Sequence, residues 1–592
     1  MVWQKHPERV YDSTLKTTRS QSKDVVYPRR TDCGRKSALE AGTASFDCIR
    51  TACGLRSGCS VKRKLDFGLV CVVLLLVLAA CTPPAQPAAT PPPATATAAP
   101  SPIVAATVAA TAVPTATAAA TSVPTVAPAQ PPSEVEDPTV YTAALRPEVA
   151  SEVDLAGLTR YRLYVVVSSE LTEFEGRAYV HYTNPETAPL DEVYFHLYPN
   201  LWAPVMQLTQ AGVNGEMVEA DWRQGEFVAR IPLADPLEPG ASVDMVLDFE
   251  VTVPEEGVGN YDELAFKEGV LALTHFYPTV AVFDAGNGGW RIERPAPQGD
   301  VIYHDASLYD VRLETDAGVQ VAATGVELER RQTDDSVIWR FGGGPMRDFT
   351  ATLSREYDTA TATVDGVTYS SYYLPGSEVN AEAALDIAAA AVATFEAEFG
   401  PYPYRELDIA ATGTTAAGIE YPGLIVLAAG LYEREPGNAG FEAVIVHETA
   451  HQWWYAVVGN DQLHDPWLDE ALAQYSTYLY FQDRYGEQGA AGFLAALDDR
   501  WARVDRIEKP IGLPVSAYPE GEYSGVVYGR GPLFLVALAE RLGPERMVEF
   551  LQRYYAEQSW DIATPAEFEA LAETVAGAPL DDLFAAWVYS PE

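Results

Sequence analysis

The chain has 592 residues, of which 83 are acidic and 40 basic, for a formal net charge of −43 at pH 7. That balance excludes binding of nucleic acid, or of an anionic membrane surface, through a basic face. With 48% apolar residues, the chain has ample material for a large buried core, and disorder throughout is excluded as well.

The charge is unevenly spread. Residues 1–64 carry 14 basic and 6 acidic side chains, leaving 26 basic against 77 acidic in the remainder. Residues 1–60 also hold Cys33, Cys48, Cys53 and Cys59, four of the six cysteines, at spacings that match no zinc pattern. Next come a positive cluster at Lys62, Arg63 and Lys64, an apolar run from Phe67 to Leu78, and the lipobox-like ending Leu78-Ala79-Ala80-Cys81. This is the layout of a bacterial lipoprotein signal peptide over residues 61–81. The apolar run is too short for a membrane span, which needs about 20 residues. We therefore expect translation to start near Val61, residues 1–60 to be a non-native extension, and a lipidated Cys81 to anchor the protein to a membrane. That places it in the bacterial cell envelope, outside the cytoplasm, with no further cysteine for a disulfide.

Residues 82–138 are almost entirely Ala, Pro and Thr and read as an extended tether. Over residues 139–365 the pattern changes to period two. RYRLYVVVSSEL, EGRAYVHYTN, EVYFHLYP, EFVARIPL, VDMVLDFEVTV, VIYHDASLYDVRLE, VQVAATGVELE and SVIWRFGG are short, rich in Val, Tyr and Phe, and bounded by turn residues. A β-sheet domain is expected here.

The catalytic domain is expected over 366–592. Residues 377–399 form an alanine-rich helix with a serine N-cap signal at Ser377, and GIEYPGLIVLAAGL reads as an edge strand able to pair with an extended peptide. The chemistry is concentrated in FEAVIVHETAHQWWYAVVGNDQLHDPWLDEALAQYSTYLY. His447 and His451 lie four residues apart on one helical face, with Glu448 beside them. Catalytic zinc takes three protein ligands and keeps a position for water. Glu470 supplies the third, after 18 intervening residues, from a second helix marked by Trp467, Leu468, Ala471, Leu472, Tyr475 and Leu479. His464, in the connecting loop, is expected to be a surface or hydrogen-bonded residue rather than a ligand. Further helices are expected over Pro532–Arg541, Glu545–Ala556 and Pro565–Ala576.

These motifs resemble the gluzincin aminopeptidases, the group of aminopeptidase N and leukotriene hydrolase. Two more stretches match in order: AGIEY at 417–421 resembles the G-x-M-E-N exopeptidase motif, and YGRG at 528–531 the Y-x-K-G segment. The similarity runs from about Tyr161 to the end and is strong at these three places. It departs at Ile419 and Tyr421, where the motif has methionine and asparagine, and at Asp469, Ala471 and Arg530, where many members have asparagine, glycine and lysine.

The resemblance implies an α+β protein, a β saddle followed by a thermolysin-like, mainly helical catalytic domain, without the helical-repeat domain of larger members. It implies zinc on His447, His451 and Glu470, Glu448 as general base, and Tyr528 as oxyanion donor with Tyr523 in reserve. It also implies a substrate-binding edge at Gly418, Ile419 and Glu420, where Glu420 takes the free α-ammonium of a peptide. HFYPTVAVFDAGNGGW would line the cleft, with Asp284 or Glu293 as a candidate second amine-binding carboxylate, a surface loop position being the commoner explanation for either. The expected reaction is removal of N-terminal residues from peptides. The alternatives are a gluzincin endopeptidase or epoxide hydrolase on the same zinc site, or a non-catalytic peptide-binding lipoprotein.

Overall fold

Alternating side chains commit one face of each strand to the core. In Thr159–Val167 the buried residues are Tyr161, Leu163, Val165 and Val167; in Ser242–Thr252 they are Val243, Met245, Leu247, Phe249 and Val251. A computed structural model describes residues 137–519 and 521–589. The expected extension, the signal peptide and nearly all of the tether lie outside the described residues.

Both strands belong to an eight-stranded mixed sheet, in which Thr159–Val167 pairs antiparallel with Glu173–Thr183 and parallel with Ser307–Asp316. Two four-stranded sheets accompany it, one around Leu190–His196 and Val228–Leu237, the other around Val270–Leu273 and Ala351–Ser354. Two expected strands are shorter or divided: only Ser307–Asp316 of VIYHDASLYDVRLE is strand, and VQVAATGVELE splits into Gln320–Ala323 and Val326–Gln332. Met206–Val213 is a strand that periodicity misses, because a bulge between Leu208 and Gln210 interrupts its alternation.

A five-stranded sheet opens the second region. Asp358–Val364 and Val367–Tyr373 form a hairpin around Asp365-Gly366, and Val367–Tyr373 runs parallel to Glu406–Thr412. Position 366, expected as a domain start, therefore sits in a hairpin turn, the common role of an Asp-Gly pair between two alternating runs. The expected single edge strand GIEYPGLIVL is itself a hairpin. Gly418–Tyr421 lies at the sheet edge and pairs antiparallel with Leu424–Ala428, which is internal; Pro422-Gly423 makes the turn.

Helix α1 (Glu378–Glu398) follows Ser377, whose hydroxyl accepts no helix N–H, so the serine starts the helix without capping it. Helix α2 (Ala439–Ala450) carries the histidine motif and is capped by the Asn438 side chain, which accepts from Gly440 N and Phe441 N. Helix α3 (Trp467–Ala502) bends at Gly486. The later helices Gly531–Leu542, Pro544–Glu557 and Pro565–Ala576 agree with their expected positions to within about two residues. The result is an α+β architecture, a β region followed by a mainly helical one. Among the described residues, no helix is long and apolar enough to cross a membrane.

The β region buries three histidines around Tyr198, with ring centroids of His196, His275 and His304 at 5.3, 5.1 and 5.3 Å from it. His275 is paired with Asp348 at 2.9 Å. His196 and His304 have no hydrogen-bond partner at either ring nitrogen among the described residues, and burial depresses them to about 4 and about 3. Both stay neutral in the fold while an unfolded histidine protonates near 6.5. Stability should thus be fully present above pH 6.5 and fall as the pH drops toward the folded values. Replacing His304 by Phe should remove roughly 3 kcal/mol of the stability lost between pH 6.5 and 4. Thermal melts of the two proteins at stepped pH measure the difference, and parallel curves would contradict it.

Candidate active site

His447 lies in the last turn of α2, and His451 is its C-cap residue, where the helix dipole favours a cation. Glu470 lies in the first turn of α3, where the dipole favours an anion. The two helix ends are fastened together: Trp454 Nε1 donates to Ser476 Oγ at 2.9 Å. His447 Nε2 is 3.3 Å from His451 Nε2, and Glu470 Oε2 is 3.2 and 3.6 Å from these two nitrogens. A tetrahedral ion with ligands at about 2.1 Å needs them about 3.4 Å apart, so this triangle fits zinc.

The surroundings agree with the spacing. His451 Nδ1 donates to the Trp454 carbonyl at 2.9 Å, which leaves its Nε2 lone pair for the site. Glu470 Oε2 is buried and has no partner among the described residues beyond the two imidazoles. Burial disfavours its charge, yet hydrogen bonds and positive field from His447 and His451 hold the carboxyl well below the usual range.

Glu448 faces the same space, with a carboxylate oxygen within 4.8 Å of ligand atoms on His451 and Glu420. Burial, reinforced by the charge of Glu420, pushes its carboxyl well above the usual range, making it a stronger proton acceptor than a surface glutamate. Gly418 on the edge strand leaves room for it, since a Cβ there would lie 2.5 Å from Glu448 Oε1 and 2.6 Å from its Cγ. Ile419 is buried in a small cluster with Ala410, Leu424 and Val426, so its side chain packs the sheet.

Glu420 is buried, and its Oε1 accepts from Gln462 Nε2 at 3.3 Å. The same Gln462 nitrogen donates to Asp469 at 2.7 Å. Burial and the charge of Glu470 push Asp469 up to about 8. Gln452, next to the ligand His451, clamps the edge hairpin: its Oε1 accepts from Gly423 N at 2.8 Å, and its Nε2 donates to the Tyr421 carbonyl at 3.0 Å. The distance from Glu420 to the metal ligands is thereby set by one side chain. Gln452 and Gln462 were missed in the sequence. Amides show no chemistry of their own, and only their place within the motif stretch could have flagged them.

Tyr528 lies in a π-helical turn, Val526–Arg530, and its hydroxyl donates to Glu470 Oε1. Such turns are frequent at functional sites. Gly531 permits the approach, because a Cβ on it would stand 2.9 Å from that of Ala471. Tyr523 packs edge-on against Tyr528 at 5.7 Å, and its hydroxyl reaches no partner among the described residues. Arg530 points elsewhere, donating to the carbonyls of Ala586 and Trp587 at 2.8 and 2.7 Å.

Asp284, Glu293 and His464 share one network around Arg291. Asp284 accepts from Asn287 and pairs with Arg291, and Glu293 also pairs with Arg291, so both carboxylates serve a surface loop. A short acidic side chain beside an arginine is satisfied locally and has no pull toward the cleft. His464 bonds Asp461 and Arg291, in keeping with a hydrogen-bonded loop residue. His275, Phe276 and Tyr277 are buried rather than lining open space, and the His275 ring stands 6.1 Å from that of Tyr421, the neighbour of Glu420.

One cation joins the two regions. Arg347 is buried and donates to the carbonyls of His304, Tyr455 and Val457 at 3.1, 2.7 and 3.1 Å, and to that of Asp561. Tyr455, four residues after His451, holds φ at 122°, a costly backbone state for a side chain of its size.

Residues 383–587 match the family model described as the Peptidase family M1 domain. Aminopeptidase M1-B of Oryza sativa subsp. japonica is 27% identical over 240 residues, 38% of this chain and 27% of that protein. Endoplasmic reticulum aminopeptidase 1 of Mus musculus is 27% identical over 208 residues, 32% of this chain and 22% of that protein. The chain thus spans about a quarter of the length of the curated relatives it matches. The M1 zinc metallopeptidase from Deinococcus radiodurans superposes with a TM-score of 0.56 at 19% identity, over 74% of this chain and 94% of that one. A form of that protein bound to a Tyr-Ser-Ala substrate gives 0.56 at 20% identity, over 74% and 95%. At these identities the structural likeness establishes the fold.

The packing of Gly418 makes a direct prediction. Gly418→Ala should displace the Glu448 carboxylate and lower turnover about 100-fold, with bound zinc, measured by metal analysis, unchanged. Full turnover in the alanine variant would show that the contact is idle.

Proposed function

We propose that this chain, whose residues 383–587 match the Peptidase family M1 domain, is a zinc-dependent aminopeptidase that removes N-terminal residues from peptides. The observation that carries the reading is the buried triangle of His447, His451 and Glu470, with Glu448 and Glu420 both within reach of the His451 edge. Zinc held by those three residues would supply Lewis acidity and lower the pKa of a bound water.

The chain's own groups supply the rest. Glu448, dry and basic, accepts the water's proton and can return it to the leaving amine. The Tyr528 hydroxyl, which donates to Glu470 Oε1, would turn from that carboxylate to give its one proton to the oxygen that gains charge as the carbonyl is attacked. Glu420 stands at the sheet edge as a fixed carboxylate for a free α-ammonium, held by Gln462 and by the clamped hairpin. The edge strand Gly418–Tyr421 offers unpaired backbone groups to an extended substrate. Placement outside the cytoplasm, anchored through a lipidated Cys81, is part of the same proposal and rests on the run from Lys62 to Cys81. Incorporation of labelled fatty acid that disappears in Cys81→Ser is its test.

For the enzyme, the assay is a panel of fluorogenic aminoacyl amides with free and acetylated N-termini. Only the free set should be cleaved, chelation should abolish cleavage and zinc should restore it. Glu448→Ala should cost about 1,000-fold in kcat, while Glu420→Ala should cost at least about ten-fold in kcat/KM, mainly through KM. Release of internal fragments from acetylated peptides would instead mark an endopeptidase. No cleavage at all by the zinc-loaded protein would favour a binding role or another hydrolase reaction.

A further inference from the structure

The site is acidic along one edge of the ligand triangle, with Glu420, Glu448 and His451 sharing one space. The His447 and Glu470 edge differs. There Tyr528 lies with its ring 6.0 Å from that of His447, and the Arg500 guanidinium carbon stands 4.5 Å above the Tyr528 ring. Arg500 comes from the last turn of α3, the helix whose first turn supplies Glu470, and its charge reaches both His447 and Glu470. Its Nε donates to Ser524 Oγ at 2.9 Å, and with the stacking on Tyr528 this fixes the guanidinium plane.

The two terminal nitrogens have no hydrogen-bond or ion-pair partner among the described residues. Arg500 is half-buried, and most other arginines among the described residues are paired. Arg347 and Arg530, which bond main-chain carbonyls, show how a buried guanidinium here is otherwise satisfied. A planar fork held rigid with both ends unused is suited to a carboxylate.

We infer that Arg500 selects substrates bearing a carboxylate just beyond the scissile bond. The inference rests on the aminopeptidase reading, which lays the peptide across the triangle with its ammonium at Glu420 and its carbonyl between Glu448 and Tyr528. The next residue is then directed toward the Tyr528 and Arg500 side. The carboxylate has two chemical sources, the free C-terminus of a dipeptide or an acidic side chain following the cleaved residue in a longer peptide. Either gives the same bidentate contact.

The test uses zinc-loaded full-length protein and four substrates: X-Ala with a free C-terminus, X-Ala amide, X-Asp amide and X-Asn amide, where X is the best-cleaved N-terminal residue. The wild type should favour the charged member of at least one pair by about ten-fold in kcat/KM, mainly through KM. A preference in the first pair assigns the main-chain carboxylate, and one in the second the side chain. Arg500→Lys should keep part of the preference, and Arg500→Gln should bring the ratio near one. Ratios near one in the wild type, with brisk cleavage of all four, would overturn the inference while leaving the aminopeptidase reading intact. So would an Arg500→Gln variant that loses charged and uncharged substrates equally, since that marks a residue that only supports Tyr528. No cleavage of any free-amine substrate would remove the reading itself, and the inference with it.

Discussion

Three electron-rich atoms, two imidazole nitrogens and one carboxylate oxygen, are held within 3.6 Å of each other inside the protein. Without a cation they cost stability, because electron-rich atoms then face others of the same kind at the edge of the interior. Much of the helical region is organised to keep them there. The C-terminal end of α2, whose dipole favours a cation, meets the N-terminal end of α3, whose dipole favours the Glu470 carboxylate. The Trp454 carbonyl fixes one imidazole, and the Trp454 indole ties the two helix ends to each other.

Around that triangle, each group is set by a contact that carries no chemistry. Gln452 ties the edge hairpin to the end of α2, so the strand bearing Glu420 cannot drift from the ligands. Gly531 lets the π-helical turn close on Ala471, which brings Tyr528 to Glu470. Gly418 leaves the volume that Glu448 fills. Binding and catalysis depend on such placements to within a fraction of an ångström.

Much of this was legible in the sequence. His447, His451 and Glu470 stand out because a metal site requires particular residue types at a helical spacing, and the period-two runs announce the β region. Other features escaped for physical reasons. The bulge in Met206–Val213 breaks its alternation, and Asp365-Gly366 was passed over as a domain boundary although its turn chemistry was in plain view. Ser377 carried a capping signal, but its hydroxyl is unused. Asp284 and Glu293 could not be told from cleft residues because the choice between a local arginine and a distant ligand is made by tertiary structure. Gln452, Gln462 and Arg347 act through geometry alone, which no residue count or spacing reveals.

Arg347 has a consequence for how the molecule comes apart. It draws on carbonyls from a loop of the β region, from the turn after the histidine motif and from Asp561 near the end of the helical region. A buried guanidinium that loses any of these segments is left with unmet donors, so none of the three can open cheaply while the others stay in place. The strained Tyr455 turn is also held by this arginine and would relax without it. Despite their different architectures, the sheets and helices are thereby coupled in unfolding, and the His447, His451 and Glu470 triangle shares the cooperative fate of a β region that contributes none of it.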